Sequence, residues 1–302
     1  MSLHYACLAP GRRGLRPTQE GRDRQGDEND GASTRADSLG TKRRIFALAY
    51  HDVAREGGAP SGKTGVGRGH YELPWERFSE HLDTVARVTC ASPAIVHEDG
   101  GGDRPWCLTF DDGGASALEV GEELGRRGWR AYFFVTTGLI GRPGFVDQDD
   151  IRELDRMGHI IGSHSVTHPE RMQCLPTEKL FREWEESIAV LSELVGQEVR
   201  TGSVPGGSYS RRVAEVAARA GITTLFTSEP VTAPRWVDDC LVVGRYPVRR
   251  ATGAREAARA AAGHPAPWAL HYLGWNLRKA AKQGTGSYYD RVRRGALRIR
   301  YR

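Results

Sequence analysis

Short apolar runs recur along this chain, and each stops on a polar cluster. IFALA runs into Tyr50-His51-Asp52, WCLTF into Asp111-Asp112-Gly113-Gly114, and HIIG into Ser163-His164-Ser165-Val166-Thr167-His168. VRTGSV runs into Pro205-Gly206-Gly207-Ser208-Tyr209. A short run rich in apolar and β-branched residues, bounded by Gly, Asp or Ser, is the pattern of a buried strand. RAYFFVTT, ITTLFTS and VVGRYPV read the same way. Between these runs lie helix-spaced segments. In PWERFSEHLDTVARV, Phe78, Leu82, Val85 and Val88 fall on one face. SALEVGEELGRRG stops at Gly128, Asp147–Met157 stops at Gly158, residues 177–195 are long and amphipathic, and RRVAEVAARAG closes on another Gly. Alternating strands and helices predict a parallel α/β architecture. Parallel barrels collect their chemistry at the carboxyl ends of the strands, which is where all four polar clusters sit.

The 302 residues leave room for one barrel, which commonly takes about 200–250. Residues 1–43 are rich in Arg, Gly, Asp and Ser without periodicity and are expected to form a disordered tail. The barrel is expected over 44–263. Residues 264–302 mix aromatic and aliphatic positions with many Arg and Lys, and predict basic amphipathic helices. Those helices are expected to pack on the barrel, or to touch a membrane surface or a partner such as glycosyltransferase machinery. The five cysteines form no CxxC and read as reduced thiols. A net charge of +5 is too mild to indicate nucleic acid. No apolar run reaches the roughly 18 residues of a membrane span, and the N-terminus turns polar before a signal core forms. A cytoplasmic location, with peripheral contact at the inner membrane face, is the expectation.

Two adjacent carboxylates, Asp111 and Asp112, repel unless something divides their labour. A metal does so when one carboxylate ligates and the other stays a base, whereas a capping Asp beside a turn Gly is the structural alternative. His164 and His168 stand at i, i+4, a spacing that lets two imidazoles grip one ion; loop histidines that cap or pack share that spacing. Combined, the pairs give a two-His, one-carboxylate set suited to Zn²⁺ or another divalent transition metal. In Pro205-Gly206-Gly207 the small side chains let backbone N–H groups approach a ligand, while an ordinary strand-to-helix turn capped by Ser208 or Tyr209 explains the same residues.

TFDDG, then SHSVTH, then a Pro-x-Gly turn resembles the polysaccharide deacetylases, the chitooligosaccharide-deacetylase-like carbohydrate esterases of family 4. The resemblance extends over about 45–250, through DQDDIRELDRMGHIIGSHSVTHPERM and SVPGGSYSRRVAEVAARAGITTLFTS. It implies a distorted parallel (β/α)7-type barrel and metal-dependent hydrolysis of acetyl groups on sugars. It also implies roles: Asp111 as catalytic base, Asp112, His164 and His168 as ligands of a divalent metal with zinc first, and Gly206 as an oxyanion N–H donor. Pro205, Gly207 and Tyr209 accompany it at the substrate. Leu48-Ala49-Tyr50-His51-Asp52 resembles the motif that supplies the general acid, moved ahead of the others as in the circularly permuted branch that includes biofilm poly-N-acetylglucosamine deacetylases. In a closed barrel that permutation is cheap, because first and last strands are neighbours. His51 is therefore the expected general acid. Asp52 either orients it or caps the next turn.

Two departures stand out. The third motif begins with Ser203 where the family has Arg, and Arg245 is a candidate for the missing charge or a structural Arg. The fourth motif is unclear, with Trp236 a candidate. The expected function is removal of N-acetyl groups from an amino-sugar polymer or oligosaccharide in exopolysaccharide or cell-envelope metabolism. An O-acetyl esterase or small-amide hydrolase, and a non-catalytic carbohydrate-binding protein, are the alternatives.

Overall fold

The computed structural model describes residues 43–55, 66–96, 98 and 104–285, with only the backbone of 66–68 and 278–285. The expected tail and everything after residue 285 lie outside the described residues. Lys42–Arg302 forms one compact unit.

Seven strands pair in parallel and close on themselves. They are β1 (Phe46–Tyr50), β4 (Trp106–Phe110), β5 (Tyr132–Val135), β6 (Ile160–Ser163), β7 (Thr201–Ser203), β8 (Thr224–Thr227) and β10 (Cys240–Pro247). The order β1-β4-β5-β6-β7-β8-β10 is completed by β10 pairing back to β1, with Ala47 opposite Arg245 and Ala49 opposite Pro247. β1 also pairs with β4, setting Ala49 opposite Thr109 and Tyr50 opposite Phe110. The first strand therefore closes the barrel, as the (β/α)7 expectation requires. Short β2 (Val53–Ala54) and β3 (Leu73–Pro74) pair beside it, and β9 (Arg235–Val237) adds antiparallel to β10.

Strand side chains alternate between two layers. Ala47, Cys107, Tyr132, Phe134, Phe226, Leu241 and Val243 fill the barrel. Phe46, Leu48, Tyr50, Leu108, Phe110 and Phe133 face outward onto the helices. Each such fully buried side chain contributes about 1.5–3 kcal/mol. The helix layer comprises α1 (Val66–Tyr71), α2 (Trp75–Thr89), α3 (Ala117–Arg126), α4 (Gln148–Arg156), α5 (Thr177–Val195), α6 (Arg211–Arg219), α7 (Ala254–Ala261) and α8 (Pro265–Thr285). Asp147 caps α4 through a reciprocal box with Asp150, which explains why the periodic segment begins there. The alanine-rich α7 was not foreseen; it packs against α2.

Of the two destinations expected for the C-terminal segment, the described part of α8 takes the barrel. Trp268 stands edge-on to Phe46 and Tyr246 and donates from Nε1 to the Ala260 carbonyl. His271 packs on Tyr246.

Candidate active site

The site forms where β1, β4, β6, β7 and β10 end. Odd-numbered residues of β1 and β4 face the interior, so the residues that extend these strands, His51 and Asp111, emerge side by side. The Asp111 N–H donates to the Tyr50 carbonyl at 3.0 Å, and His51 is close enough for its charge to act on Asp111.

Asp111 is buried and held by Arg245, itself fully buried. Nη1 donates to Oδ1 at 2.7 Å and Nη2 to Oδ2 at 2.8 Å, a bidentate pair. The guanidinium donates further to Thr109 Oγ1 (2.9 Å), Ser203 Oγ (2.7 Å) and the Thr227 carbonyl (3.2 Å). Every edge of a buried cation is thereby satisfied. Burial alone would raise the Asp111 pKa. The Arg245 charge, His164 and the hydrogen bonds from Arg245 outweigh it and hold the carboxyl well below the usual carboxylate range. Arg245 arrives from β10 and Ser203 from β7, so the charge expected at one motif comes from another strand.

After Asp111 the chain turns sharply. Asp112 has φ of 80° and Gly113 of 74°, both left-handed. That conformation costs a non-glycine residue of order 1–3 kcal/mol, and such strain gathers at functional sites. It brings the Asp112 carboxylate to His164 and His168: Oδ1 lies 3.5 Å from His164 Nε2 and 3.2 Å from His168 Nε2. Ligand atoms of the three residues all lie within 4.8 Å of one another. His164 Nδ1 is 2.8 Å from the Ser203 carbonyl, which only accepts, so Nδ1 carries the proton. Nε2 then presents a lone pair toward a carboxylate oxygen. A cation between the two resolves that repulsion. Tetrahedral bonds of about 2.0–2.1 Å separate ligand atoms by about 3.3–3.4 Å, which the observed spacings bracket. The donor set fits a metal ion, and the half-buried His168 leaves one side of it accessible.

The remaining candidates divide. Pro205–Gly207 forms a 3-10 turn in which Gly206 and Gly207 have φ of 60° and 64°, as only glycine adopts easily. A side chain on Gly206 would meet only the Glu170 carbonyl, at 3.4 Å, so its backbone is approachable. Tyr209 is half-buried beneath the Arg235 guanidinium and packs on the outer core cluster. Asp52 accepts from Ser116 Oγ, which in turn accepts from the Val53 N–H. Trp236 does not join the site. It pairs with Leu241, four residues before Arg245 on β10, about 13 Å toward the opposite end of the barrel at 3.3 Å per residue. His51 is half-buried and stacks on Tyr71, with ring centroids 4.3 Å apart. Thr109 and Ser203 hold Arg245 at the site. Ser203 stands out in the sequence as the residue in place of the family's Arg. Glu183, which holds the loop before His168, shows there only as a carboxylate in an apolar helical stripe.

A closed parallel α/β barrel with a two-histidine, one-aspartate cluster at its strand ends defines a barrel protein whose strand ends could hold a metal ion. Comparison makes that class specific. Residues 98–225 match the polysaccharide deacetylase family. The peptidoglycan-N-acetylglucosamine deacetylase PgdA of Listeria monocytogenes is 33% identical over 111 residues, 36% of this chain and 22% of that protein. A Bacillus gellan lyase is 32% identical over 119 residues, 38% of this chain and 5% of that protein. The matched stretch is thus a minor part of both relatives. The structure of IcaB from Ammonifex degensii superposes with a TM-score of 0.58 at 23% identity, covering 73% of this chain and 98% of that one. Streptococcus pyogenes deacetylase PplD, in complex with acetate, gives 0.57 at 17% identity, covering 72% and 98%. At these identities the two structures establish the shared fold. Over residues 98–225 the chain is similar to the polysaccharide deacetylase family.

Proposed function

We propose that this protein is a metal-dependent deacetylase that removes N-acetyl groups from an amino-sugar polymer or oligosaccharide in exopolysaccharide or cell-envelope metabolism. The observation that carries the reading is the convergence of Asp112, His164 and His168 beside a second carboxylate, Asp111, locked by Arg245. The first three would hold a divalent ion, zinc by their donor types, which when bound supplies Lewis-acid polarisation of the acetyl carbonyl and acidifies the attacking water. Asp111, kept ionised, takes the water proton. The backbone N–H at Gly206 faces the developing oxyanion, with Pro205, Gly207 and Tyr209 shaping the turn around it. His51, supported by its place at the end of β1 beside Asp111, gives a proton to the leaving nitrogen. An N-acetylated carbohydrate is the substrate class that PgdA's name supports.

The test is acetate release from a panel of N- and O-acetylated sugars after metal stripping and graded return of zinc, cobalt, nickel or magnesium. Metal-dependent release from N-acetylglucosamine oligomers is expected. Release from O-acetyl sugars only would replace this reading with an esterase.

The C-terminal region supports a peripheral contact as well. On α8, Leu270, Leu273 and Leu277 are exposed at 71%, 59% and 72%, and an Arg- and Lys-rich sequence follows. Among the described residues no helix is long and apolar enough to cross a membrane. Co-sedimentation with anionic but not neutral vesicles is the expected result; recovery with neither argues instead for a protein partner.

A further inference from the structure

Helix α5 carries two polar side chains in the middle of its buried face. Its buried positions are Leu180, Glu183, Trp184, Ser187 and Leu191, an apolar stripe interrupted at i and i+4 by Glu and Ser. Glu183 is 4% exposed and Ser187 is fully buried. A buried carboxylate is retained only when its oxygens are satisfied. Among the described residues no cation pairs with Glu183, so hydrogen bonds satisfy it. Oε2 accepts from the Val166 N–H at 3.0 Å and the Thr167 N–H at 2.9 Å, and Oε1 from the Thr167 hydroxyl at 2.6 Å. All three donors belong to the loop between His164 and His168. One helical turn later, Ser187 Oγ accepts from Ser163 Oγ at 2.7 Å, and Ser163 Oγ accepts from the Ser165 N–H at 3.1 Å. Ser165 Oγ then accepts from the His168 N–H at 3.0 Å. Two positions on one helix thus engage the loop at Ser163, Val166 and Thr167.

The loop needs an external hold. Ser165 and His168 have φ of 67° and 54°, left-handed for residues that pay for it. Released from α5, each has a lower-energy conformation that would swing the His168 imidazole out of range of Asp112. His164 differs, because β6 and the Ser203 carbonyl already fix it.

We infer that Glu183 and Ser187 are positioning residues that preset the loop for metal binding, Glu183 by clamping the backbone before His168 and Ser187 by anchoring its start. The inference rests on the metal reading above. Supporting groups of this kind typically carry a 10- to 100-fold effect on metal affinity.

The test is zinc affinity of the full chain, by competition with a chromophoric chelator, alongside the melting temperature of metal-free protein. Glu183→Ala is expected to raise the zinc Kd about 10- to 100-fold. Glu183→Gln, which keeps one acceptor, falls between it and wild type. Thr167→Val, at an exposed position where folding is not at stake, weakens zinc by a smaller factor. Ile188→Ala, beside Ser187 but half-buried against the core, lowers the melting temperature and leaves the Kd of folded protein unchanged. At saturating zinc, Glu183→Ala recovers most of the wild-type kcat. Wild-type affinity in both Glu183→Ala and Thr167→Val overturns the clamp while leaving the metal site standing, and so does equal weakening by Ile188→Ala. A wild type that takes up no zinc overturns both.

Discussion

Four of the buried or half-buried histidines divide into two pairs with opposite uses of the same ring. His81 and His159 sit in the helix layer. His81 accepts from the Tyr50 hydroxyl (3.2 Å) and donates to the Thr252 carbonyl (3.1 Å). His159 accepts from the Ala131 N–H (3.3 Å) and donates to the Gly121 carbonyl (3.0 Å). Each is a closed neutral bridge. His164 also sets one nitrogen on a backbone carbonyl, Nδ1 where the other two use Nε2, but its second nitrogen faces a carboxylate that His168 shares. Burial does not separate the pairs, since His81 is as buried as His164. The partner of the second nitrogen does: a backbone or hydroxyl group completes a structural bridge, whereas a shared carboxylate leaves lone pairs aimed at one point.

The largest break in this contrast comes from removing the shared carboxylate. Asp112→Ala is expected to lose stoichiometric zinc, measured by elemental analysis, and to bring acetate release to background. Asp111→Asn keeps the metal and loses the base, so activity falls about 10²–10⁴-fold at unchanged zinc content. His51→Ala is expected to fall toward the lower end of that range, also with zinc retained, and most steeply on substrates with a poor amine leaving group. Arg245→Met strands the Asp111 charge in the barrel. It should cost about 3–5 kcal/mol in urea unfolding, and Asp111→Asn in the same background should recover part of that loss.

The cluster of Asp112, His164 and His168 was legible as a candidate because its residues are concentrated: adjacent carboxylates and an i, i+4 histidine pair at the ends of apolar runs. His51 was legible as a position for a related reason, since IFALAYHD is a strand that stops on a polar group and a closed barrel needs its first strand beside β4 and β10. Pairings across the chain were not. Arg245, which meets Asp111 across 134 residues, was a candidate only because Ser203 stands where the family has Arg; nothing in GRYPV itself distinguishes a cation aimed into the barrel from one on an edge. Trp236 was misplaced because β9 turns back against the amino-terminal half of β10, an antiparallel excursion that the strand–helix alternation gave no reason to expect. Glu183 and Ser187 were visible as polar interruptions of an apolar stripe, but periodicity does not say which loop a helix faces.

The smallest expected effect tests the structural pair. Burial is the leading cause that lowers both pKa values from 6.5. It outweighs the backbone hydrogen bonds to Thr252 and Gly121, and it is aided by Arg77 at His81 and by Arg130 at His159, while Glu80 and Glu256 oppose it at His81. A histidine whose folded pKa is lowered binds fewer protons folded than unfolded as pH falls below 6.5. Its stabilising contribution is therefore complete above that value and declines below it. Urea unfolding at pH 7.5, 6.5 and 5.5 in chelator should show this fall in metal-free protein. His159→Gln, which can still donate to the Gly121 carbonyl, should flatten the slope between pH 6.5 and 5.5 while lowering stability at pH 7.5 by about 1 kcal/mol for an imperfectly replaced bond. An unchanged slope would mean that His159 titrates alike folded and unfolded, and that its bridge is no more closed than the site it is contrasted with.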